Sequence, residues 1–509
     1  MKLVQEKISL IHPILFAIFP VIFLFSYNVS QMDLVDIGIP SIILVTITLI
    51  GFFIIGGISK NYIKSGLVVS TFLFLFFFYG HFYNILNNVL TESNISIGHK
   101  IPLIGFAIMF ILITIYLVLS KKKFDNLTKI ITAIIAVIIL ISLVSITTYY
   151  TSDIFSSGDE NVDIEFNTTI SETAYPNIYY IILDGYGHQE YLLKNFNFDN
   201  SEFLDSLEKS GFYVPNNSRS NYPSTGTSIA ANLNMMYVHD LISPTGVPNI
   251  NKLYNLTRDN SVMTFVESRG YETYNIDSGF VPTRHLEVAD HNVCGTGILI
   301  NSELSSNIFG ISMLKPIYAQ YFTHYDRERV LCQFDKLNNL HQEATQPYFI
   351  FAHINSPHIP YIFGPNGEEV IPENLELGDV DNHKDKEGYI GQLQFINKKV
   401  LEFVNNILEN ENDNTIIVIQ SDHGTRYIVD DYIDPTDEGI RERLSILNAY
   451  YLPERDYDIF GEKNTPVNTF RIVFNSYLDG NFEILENKNY FATVNQTPLI
   501  FWEVTDIVN

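Results

Sequence analysis

The sequence predicts an α/β protein in two parts: a transmembrane region of five helices, then a domain with a mostly parallel sheet between helices. Two observations support this. The first 150 residues hold five long apolar runs, and the remainder alternates short β-branched runs with helical patterns. Composition changes at the same place, since residues 1–150 contain nine Lys, no Arg and five acidic residues. The domain boundary is therefore placed near residue 150.

The apolar runs cover residues 9–27, 38–58, 66–86, 101–119 and 130–148. Each is close to the ~20 residues that cross a bilayer core as a helix. Five such runs exclude a signal peptide as the whole explanation. Buried helices of a soluble core are also excluded, because segments such as Ser70–Phe78 are apolar on every face. Residues 1–150 are thus interpreted as a transmembrane domain with the lipid bilayer as partner.

Lysines flank these runs unevenly. They precede the first run and lie between the second and third and between the fourth and fifth, whereas loops 28–37 and 87–100 carry one lysine between them. By the positive-inside rule the N-terminus is cytoplasmic. An odd number of spans then carries the rest of the chain outside, so the sequence predicts a multi-pass protein of the cell membrane with an extracytoplasmic domain.

The outer part carries 22 basic and 52 acidic residues, a formal net charge of −30. This excludes a nucleic-acid partner, because binding to phosphate backbones relies on clusters of Lys and Arg. Residues 151–172 lack apolar periodicity and are predicted to be a linker, and residues 173–509 the folded domain. Cys294 and Cys332 lie in a compartment that permits a disulfide, so one bridge is predicted, with two unpaired buried thiols as the alternative.

Two buried-strand runs end in polar residues that suit a metal ion. Pro176–Leu183 is followed by Asp184, and Thr415–Gln420 by a Ser-Asp-His-Gly turn at 421–424. Ligands of open α/β sheets bind at the carboxyl ends of strands, and adjacent Asp and His offer an oxygen and a nitrogen to one cation. An ordinary polar turn is the alternative. Further strands are predicted at 211–214, 271–275 and 348–352, and helices at 261–269 and 389–407.

Residues 220–235 form a hydroxyl-rich loop that leads into a helix, because Pro223 and Gly226 interrupt the chain and Ser224, Thr225 and Thr227 suit an N-cap. A hydroxyl at a helix N-terminus beside a cation is well placed for nucleophilic attack. A plain capping motif is the alternative. Farther on, His353 and His358 follow a predicted strand and form a plausible substrate-facing pair, or two structural loop histidines.

Four motifs in this order resemble the alkaline phosphatase and sulfatase superfamily: Asp184, Asn221–Thr225, Pro357–Pro360 and Ser421–Gly424. With the preceding spans, the chain resembles the lipoteichoic acid synthase branch, the membrane-bound phosphoglycerol transferases. This resemblance implies an alkaline-phosphatase-like outer domain and one divalent metal ion, Mn²⁺, Mg²⁺ or Zn²⁺.

The resemblance also implies roles for particular residues. Thr225 would be the nucleophile, and the metal ligands would be Asp184, Thr225, Asp422 and His423. His358 would donate to phosphoryl oxygens or protonate the leaving group, with His353 as a second substrate-binding histidine. Arg426 and Arg284 are weaker candidates for clamping an anion.

The sequence departs from the motifs of the superfamily in ways that limit which reactions it can be expected to catalyse. The C/S-x-P-x-R motif that supplies the sulfatase nucleophile is absent from the sequence, which argues against ordinary sulfate-ester hydrolysis. Asp379 and His383 have the spacing of a second metal motif but lie in a polar loop and are treated as chance. Asp290-His291 is a second decoy, since no buried strand precedes it.

The sequence and the resemblance together predict a membrane-anchored, metal-dependent transferase or hydrolase that acts on phosphate esters through a Thr nucleophile, with phosphoglycerol-type transfer to a cell-surface glycan or lipid as the expected reaction. The enzymatic alternative is a hydrolase of phosphate or sulfate esters on surface glycans. An alternative from another class is a catalytically silent membrane protein that binds glycans. A transporter is less well supported, because the spans carry almost no ionisable residues.

Overall fold

The computed structural model describes residues 2–29, 32, 34–91, 98–156, 175–242, 250–295, 303–372, 381–411, 414–428, 432, 434–461, 465–493 and 499–508. The chain divides into two compact units, residues 1–160 with 297–322, and residues 161–296 with 323–509. The grouping of residues 297–322 with the N-terminal helices was not predicted. Of the predicted linker, residues 151–156 continue a helix and residues 157–172 lie outside the described part.

Helices make up the described part of the first unit. They are α1 (Lys2–Tyr27), α2 (Gly38–Ser59), α3 (Tyr62–Thr91), α4 (Lys100–Leu119), α5 (Asp125–Ser156) and α13 (Glu303–Ile311). Four stretches are long and apolar enough to cross a membrane: Leu34–Ser59, Tyr62–Asn87, Lys100–Leu119 and Asp125–Thr151. In α1 the apolar stretch is the shorter Ile11–Tyr27, so the fifth span stays a prediction.

The short helix α13 packs closely on the N-terminal helices of its unit. Leu304 and Ile308 are buried in one apolar cluster with residues of α1 and α3. The Met313 amide donates to the Phe76 carbonyl at 2.9 Å. A Cβ at Gly80 would stand 2.3 Å from the Gly310 carbonyl oxygen, so this contact requires glycine. Helix α14 (Lys315–Asn339) begins here and continues in the second unit.

The second unit is built on a six-stranded sheet. Its strands are β1 (Asn177–Leu183), β2 (Glu272–Ile276), β3 (His291–Val293), β4 (Tyr348–Ile354), β5 (Thr415–Gln420) and β6 (Asn448–Tyr451), and a separate pair is formed by β7 (Tyr490–Ala492) and β8 (Phe501–Glu503). The order is β3-β2-β4-β1-β5-β6, with only β6 antiparallel to its neighbour. The predicted mostly parallel sheet is confirmed.

Helices cover both faces of this sheet. The described helices of the unit are α6 (Gln189–Phe196), α7 (Ser201–Lys209), α8 (Thr225–Asn234), α9 (His239–Ile242), α10 (Ile250–Arg258), α11 (Ser261–Ser268), α12 (Val281–Arg284), α14, α15 (Lys386–Asn410), α16 (Asp437–Leu444), α17 (Pro466–Tyr477) and α18 (Thr505–Val508). On one face the apolar cluster includes residues of α6, α7, α14 and α15, and on the other face residues of α8, α11 and α17. The predicted strand at 211–214 is wrong, because only Tyr213 makes an isolated bridge, to Tyr450. The predicted disulfide between Cys294 and Cys332 is present.

Alternation along β1 explains the layers. Tyr179, Ile181 and Leu183 belong to one apolar cluster together with the buried side chains of α15. Ile178, Tyr180 and Ile182 belong to a second cluster with side chains of α8, α11 and α17. Because successive side chains of a strand point to opposite faces, a seven-residue strand that is buried throughout must be covered on both sides.

Candidate active site

The candidate site lies at the carboxyl edge of the sheet, where three parallel strands end. Strand β1 lies between β4 and β5, and Ile182 is paired with both His353 and Gln420. Residues that follow parallel strands meet at one edge, because the strands run in the same direction. The topology thus brings Asp184 beside the turn at 421–424.

Two carboxylates and two imidazoles face one another at this edge. His423 Nε2 lies 3.3 Å from Asp422 Oδ2 and 3.5 Å from Asp184 Oδ1. His353 Nε2 lies 3.5 Å from Asp184 Oδ2. All four side chains are buried. Burial raises the pKa of Asp184, but His358, His353 and His423 more than offset this and hold it below its usual range. Asp184 is therefore an ionised carboxylate at neutral pH.

The hydrogen bonds of His423 fix which ring nitrogen is free. Its Nδ1 lies 3.0 Å from the Gly424 carbonyl oxygen, which can only accept, so Nδ1 carries the proton. Burial and the nearby Arg443 guanidinium lower the pKa of His423 to about 4. The ring is neutral at pH 7, and Nε2 presents a lone pair to the carboxylates. This is the arrangement in which histidine ligates a metal.

Three buried atoms of the cluster lack a hydrogen-bond partner among the described residues: Asp184 Oδ1, Asp422 Oδ2 and His353 Nε2. A buried carboxylate oxygen without a partner is costly unless a cation neutralises it. Potential ligand atoms of Asp184, His358 and His423 lie within 4.8 Å of one another, as do those of Asp184, His353 and Asp422. Oxygens with imidazole nitrogens suit Mn²⁺, Mg²⁺ or Zn²⁺, so the residues present fit a divalent metal ion.

A threonine hydroxyl reaches the same cluster from a helix start. Thr225 is the first residue of α8, and its Oγ1 lies 3.2 Å from His423 Nε2. The neighbouring hydroxyls are directed elsewhere: Thr227 donates to the Ser224 carbonyl and Ser228 to the Tyr222 carbonyl. Ser224 occupies the N-cap position without a side-chain capping bond, so the capping alternative is not what the loop provides.

The two histidines predicted to face a substrate occupy different places. His353 lies within β4 and not in the following loop, is fully buried, and its Nδ1 is 2.9 Å from Thr283 Oγ1. His358 is only half-buried and lines a small pocket beside the cluster. Its ring centroid is 6.0 Å from that of His423. Of the pair, His358 is the one open to a ligand.

The two predicted anion-clamping arginines also differ. Arg426 lines the pocket, with its guanidinium 4.9 Å from the centre of the Tyr432 ring. Arg284 is the last residue of α12, and the preceding Thr283 is hydrogen-bonded to His353. Arg284 is not among the residues that line the pocket.

Three further residues, to which the sequence analysis assigned no role, lie at or beside the site. Arg443 lines the pocket and donates from Nε to the Pro223 carbonyl and from Nη1 to the Gly424 carbonyl. His383 also lines the pocket, with its ring centroid 5.5 Å from that of His358, although its partner in the apparent motif, Asp379, lies outside the described residues. Glu442, adjacent to Arg443, is fully buried.

Glu442 organises the loop that follows the cluster. Its Oε1 accepts from the Thr425 hydroxyl at 2.6 Å and the Tyr427 amide at 2.9 Å, and its Oε2 accepts from the Ile428 amide at 2.7 Å. Burial raises the pKa of Glu442, and these donors oppose the shift. The carboxylate therefore fixes the segment that carries Arg426 to the pocket.

Replacing Glu442 with alanine is expected to lower the free energy of unfolding by ~2–5 kcal/mol, because buried donors are left without an acceptor. Denaturant unfolding of the full chain in detergent measures the change. The control is Glu438→Ala on the same helix, which removes surface contacts with Lys194, Arg441 and Tyr191; each exposed ion pair of this kind is worth ~1 kcal/mol or less. Equal effects of the two substitutions would contradict the role given to Glu442.

The fold and this cluster together are typical of α/β enzymes that use a metal ion. The sulfatase family matches residues 176–472, more than half of the chain, and the chain belongs to this family. The match confirms the resemblance to the alkaline phosphatase and sulfatase superfamily and identifies the protein as an enzyme.

Several solved structures are similar to this chain at low identity. The C-terminal periplasmic domain of EcEptC from Escherichia coli, in complex with Zn, has 14% identity and a TM-score of 0.42, over 66% of this chain and 94% of that chain. The integral membrane protein lipooligosaccharide phosphoethanolamine transferase A from Neisseria meningitidis has 13% identity and a TM-score of 0.41, over 92% and 95%. No curated protein matches the chain.

Proposed function

We propose that the protein is a membrane-anchored, extracytoplasmic, metal-dependent enzyme that transfers a phosphoglycerol-type group from a lipid to a cell-surface glycan or lipid, with Thr225 as nucleophile. The observation that carries the proposal is the position of Thr225 Oγ1, 3.2 Å from His423 Nε2 at the start of α8. The cluster fits a cation, and the helix N-terminus favours an anion, so the site suits an anionic ester.

Asp184, Thr225, Asp422 and His423 are the proposed holders of one divalent ion. Such an ion, when bound, lowers the pKa of a ligating hydroxyl and stabilises negative charge on oxygen. The chain itself fixes the ligands: the Gly185 amide donates to Asp422 Oδ1 at 3.0 Å, and the Gly424 carbonyl sets the tautomer of His423. His353, behind Asp184, supports the cluster from the buried side.

In the proposed reaction Thr225 Oγ1 releases its proton to solvent water and forms a bond to phosphorus, while the bond from phosphorus to the lipid oxygen breaks. His358, open to the pocket, protonates the departing oxygen. The acceptor hydroxyl, or water, then gives its proton to His358 and attacks the phosphorus of the phosphothreonine, and the bond from phosphorus to Thr225 Oγ1 breaks as that oxygen takes a proton from solvent water. Arg426, which lines the pocket, is the proposed contact for the anionic group, with Arg284 as the second candidate.

The proposal is tested by the mass of the peptide that contains Thr225. Full-length protein loaded with metal is incubated with a lipid donor, quenched in acid, digested and compared with Thr225→Ala. An increment on Thr225 that matches phosphoglycerol supports the proposal. A bare phosphoryl increment favours hydrolysis of phosphomonoesters, and a sulfuryl increment favours the sulfatase alternative. Turnover without any increment would contradict the covalent mechanism.

A further inference from the structure

Arg443 carries a buried positive charge beside the candidate site. Arg443 is only 6% exposed. It donates hydrogen bonds to the neutral carbonyl oxygens of Pro223 and Gly424, at 2.7 and 3.0 Å. Among the described residues no carboxylate lies within ion-pair distance of it, since the adjacent Glu442 is occupied by the 425–428 segment. A buried guanidinium without an anion is costly.

The guanidinium lies between the two segments that carry the reactive groups. Pro223 precedes Thr225 by two residues, and Gly424 directly follows His423. Arg443 lines the pocket that His358 and His383 also line. Within the described part of the chain its Nη2 makes no hydrogen bond, which leaves donors for a ligand.

The pocket is positively polarised by this arginine. Burial, then His358, then Arg443 lower the pKa of His383 to about 2. His383 is therefore neutral at pH 7, and the guanidinium of Arg443 is a buried positive charge that lines the same pocket.

We propose that Arg443 is a substrate-binding residue whose Nη2 donates to a non-bridging oxygen of the tetrahedral oxyanion that Thr225 attacks. The inference rests on the proposed function and names the group that holds the transferred phosphoryl or sulfuryl centre. Arginine suits this task because its planar guanidinium can keep two N–H groups bonded to the protein and still present those of Nη2 to an oxyanion.

The test measures binding of inorganic phosphate and of sulfate to the full chain in detergent, by calorimetry. Arg443→Met is expected to weaken the binding by about 10- to 100-fold, because one charge-assisted hydrogen bond is lost. Arg443→Lys keeps the charge and should lose less than about fivefold. Arg441→Met is the matched control, since Arg441 lies on the same helix and donates to the Ile507 carbonyl away from the pocket. The affinity of the Arg441→Met variant for phosphate and for sulfate should change less than twofold.

The outcomes distinguish an Arg443 that binds the anion from an Arg443 that has only a structural role. If Arg443 only ties two segments together, Arg443→Lys should be as damaging as Arg443→Met, and this result would overturn the inference, as would unchanged affinity in Arg443→Met. Weakened binding of phosphate assigns Arg443 to a phosphoryl group, and weakened binding of sulfate alone assigns it to a sulfuryl group. Should Arg443→Met fail to fold, the contrast between Arg443→Lys and Arg441→Lys decides.

Failure here is distinguishable from failure of the proposed function. Metal content and turnover of a chromogenic phosphodiester are measured on the same samples. If wild-type protein holds metal and turns over while Arg443→Met keeps its phosphate affinity, only the inference about Arg443 falls. If Asp422→Ala leaves turnover intact, the proposed function falls whatever Arg443 does.

Discussion

Alanine at Asp422 or at His423 is expected to abolish retention of a divalent metal and to lower turnover by at least ~10³-fold, because a metal contributes several kcal/mol to transition-state stabilisation. Asp422 Oδ2 and His423 Nε2 lie 3.3 Å apart and are both buried. Neither has a substitute in the described part of the site, where the remaining carboxylate is that of Asp184. Metal content of the purified full-length protein, measured by mass spectrometry, and turnover of a phosphodiester report the two effects.

The matched control is the pair Asp290 and His291, which has the same composition and the same order. Asp290 Oδ2 accepts from the amide and the hydroxyl of Thr273, and His291 Nε2 lies 2.9 Å from Glu272. These bonds belong to the start of β3, away from the carboxyl edge. Asp290→Ala and His291→Ala should leave metal content and turnover nearly intact. Equal losses from both pairs would show that the site has been placed wrongly.

The central strands were predictable because burial on both faces removes polar alternation. β1 and β5 agree with the predicted runs to within one residue. β4 ends at Ile354, two residues beyond the predicted strand at 348–352, and therefore includes His353. The edge strands β3 and β6 were missed, because three or four residues leave no run to recognise. The strand predicted at 211–214 shows the converse error: an apolar run after a glycine formed only one bridge.

The residues of the site were predictable only where polar side chains directly follow a recognisable strand. Asp184 and the 421–424 turn are marked by the apolar runs before them, and parallel pairing brings them together. Arg443 and Glu442 reach the site from the last turn of α16 through tertiary packing. Their helix neighbours Arg441 and Glu438 are the same residue types and point elsewhere, so no local pattern distinguishes them.

Membrane topology shows the same limit. Long apolar helices are identified by length and composition, as the four candidate spans are. The nine-residue helix α13 lies about 150 residues beyond the last run and is too short to give that signal. Its place among the N-terminal helices depends on contacts such as the approach of Gly80 to Gly310, which composition does not reveal.

Thr225→Ala is expected to lower turnover by ~10³- to 10⁶-fold, because it removes the attacking oxygen. Most metal affinity should remain, since Asp184, Asp422 and His423 are untouched. The fold should also remain, because the Thr225 hydroxyl makes only one hydrogen bond among the described residues, to His423. Turnover, metal content and denaturant unfolding of the full chain separate these three effects.

Ser224→Ala and Ser228→Ala are the controls, since four hydroxyls lie within residues 224–228. Ser224 makes no capping bond and shares a 2.8 Å hydrogen bond with Thr227, and Ser228 donates to the Tyr222 carbonyl at 3.1 Å. Each substitution should cost ~1 kcal/mol of stability and little turnover. If Ser224→Ala is inactive and Thr225→Ala is not, the nucleophile moves by one residue. If neither matters, water activated at the metal centre becomes the better account of the reaction.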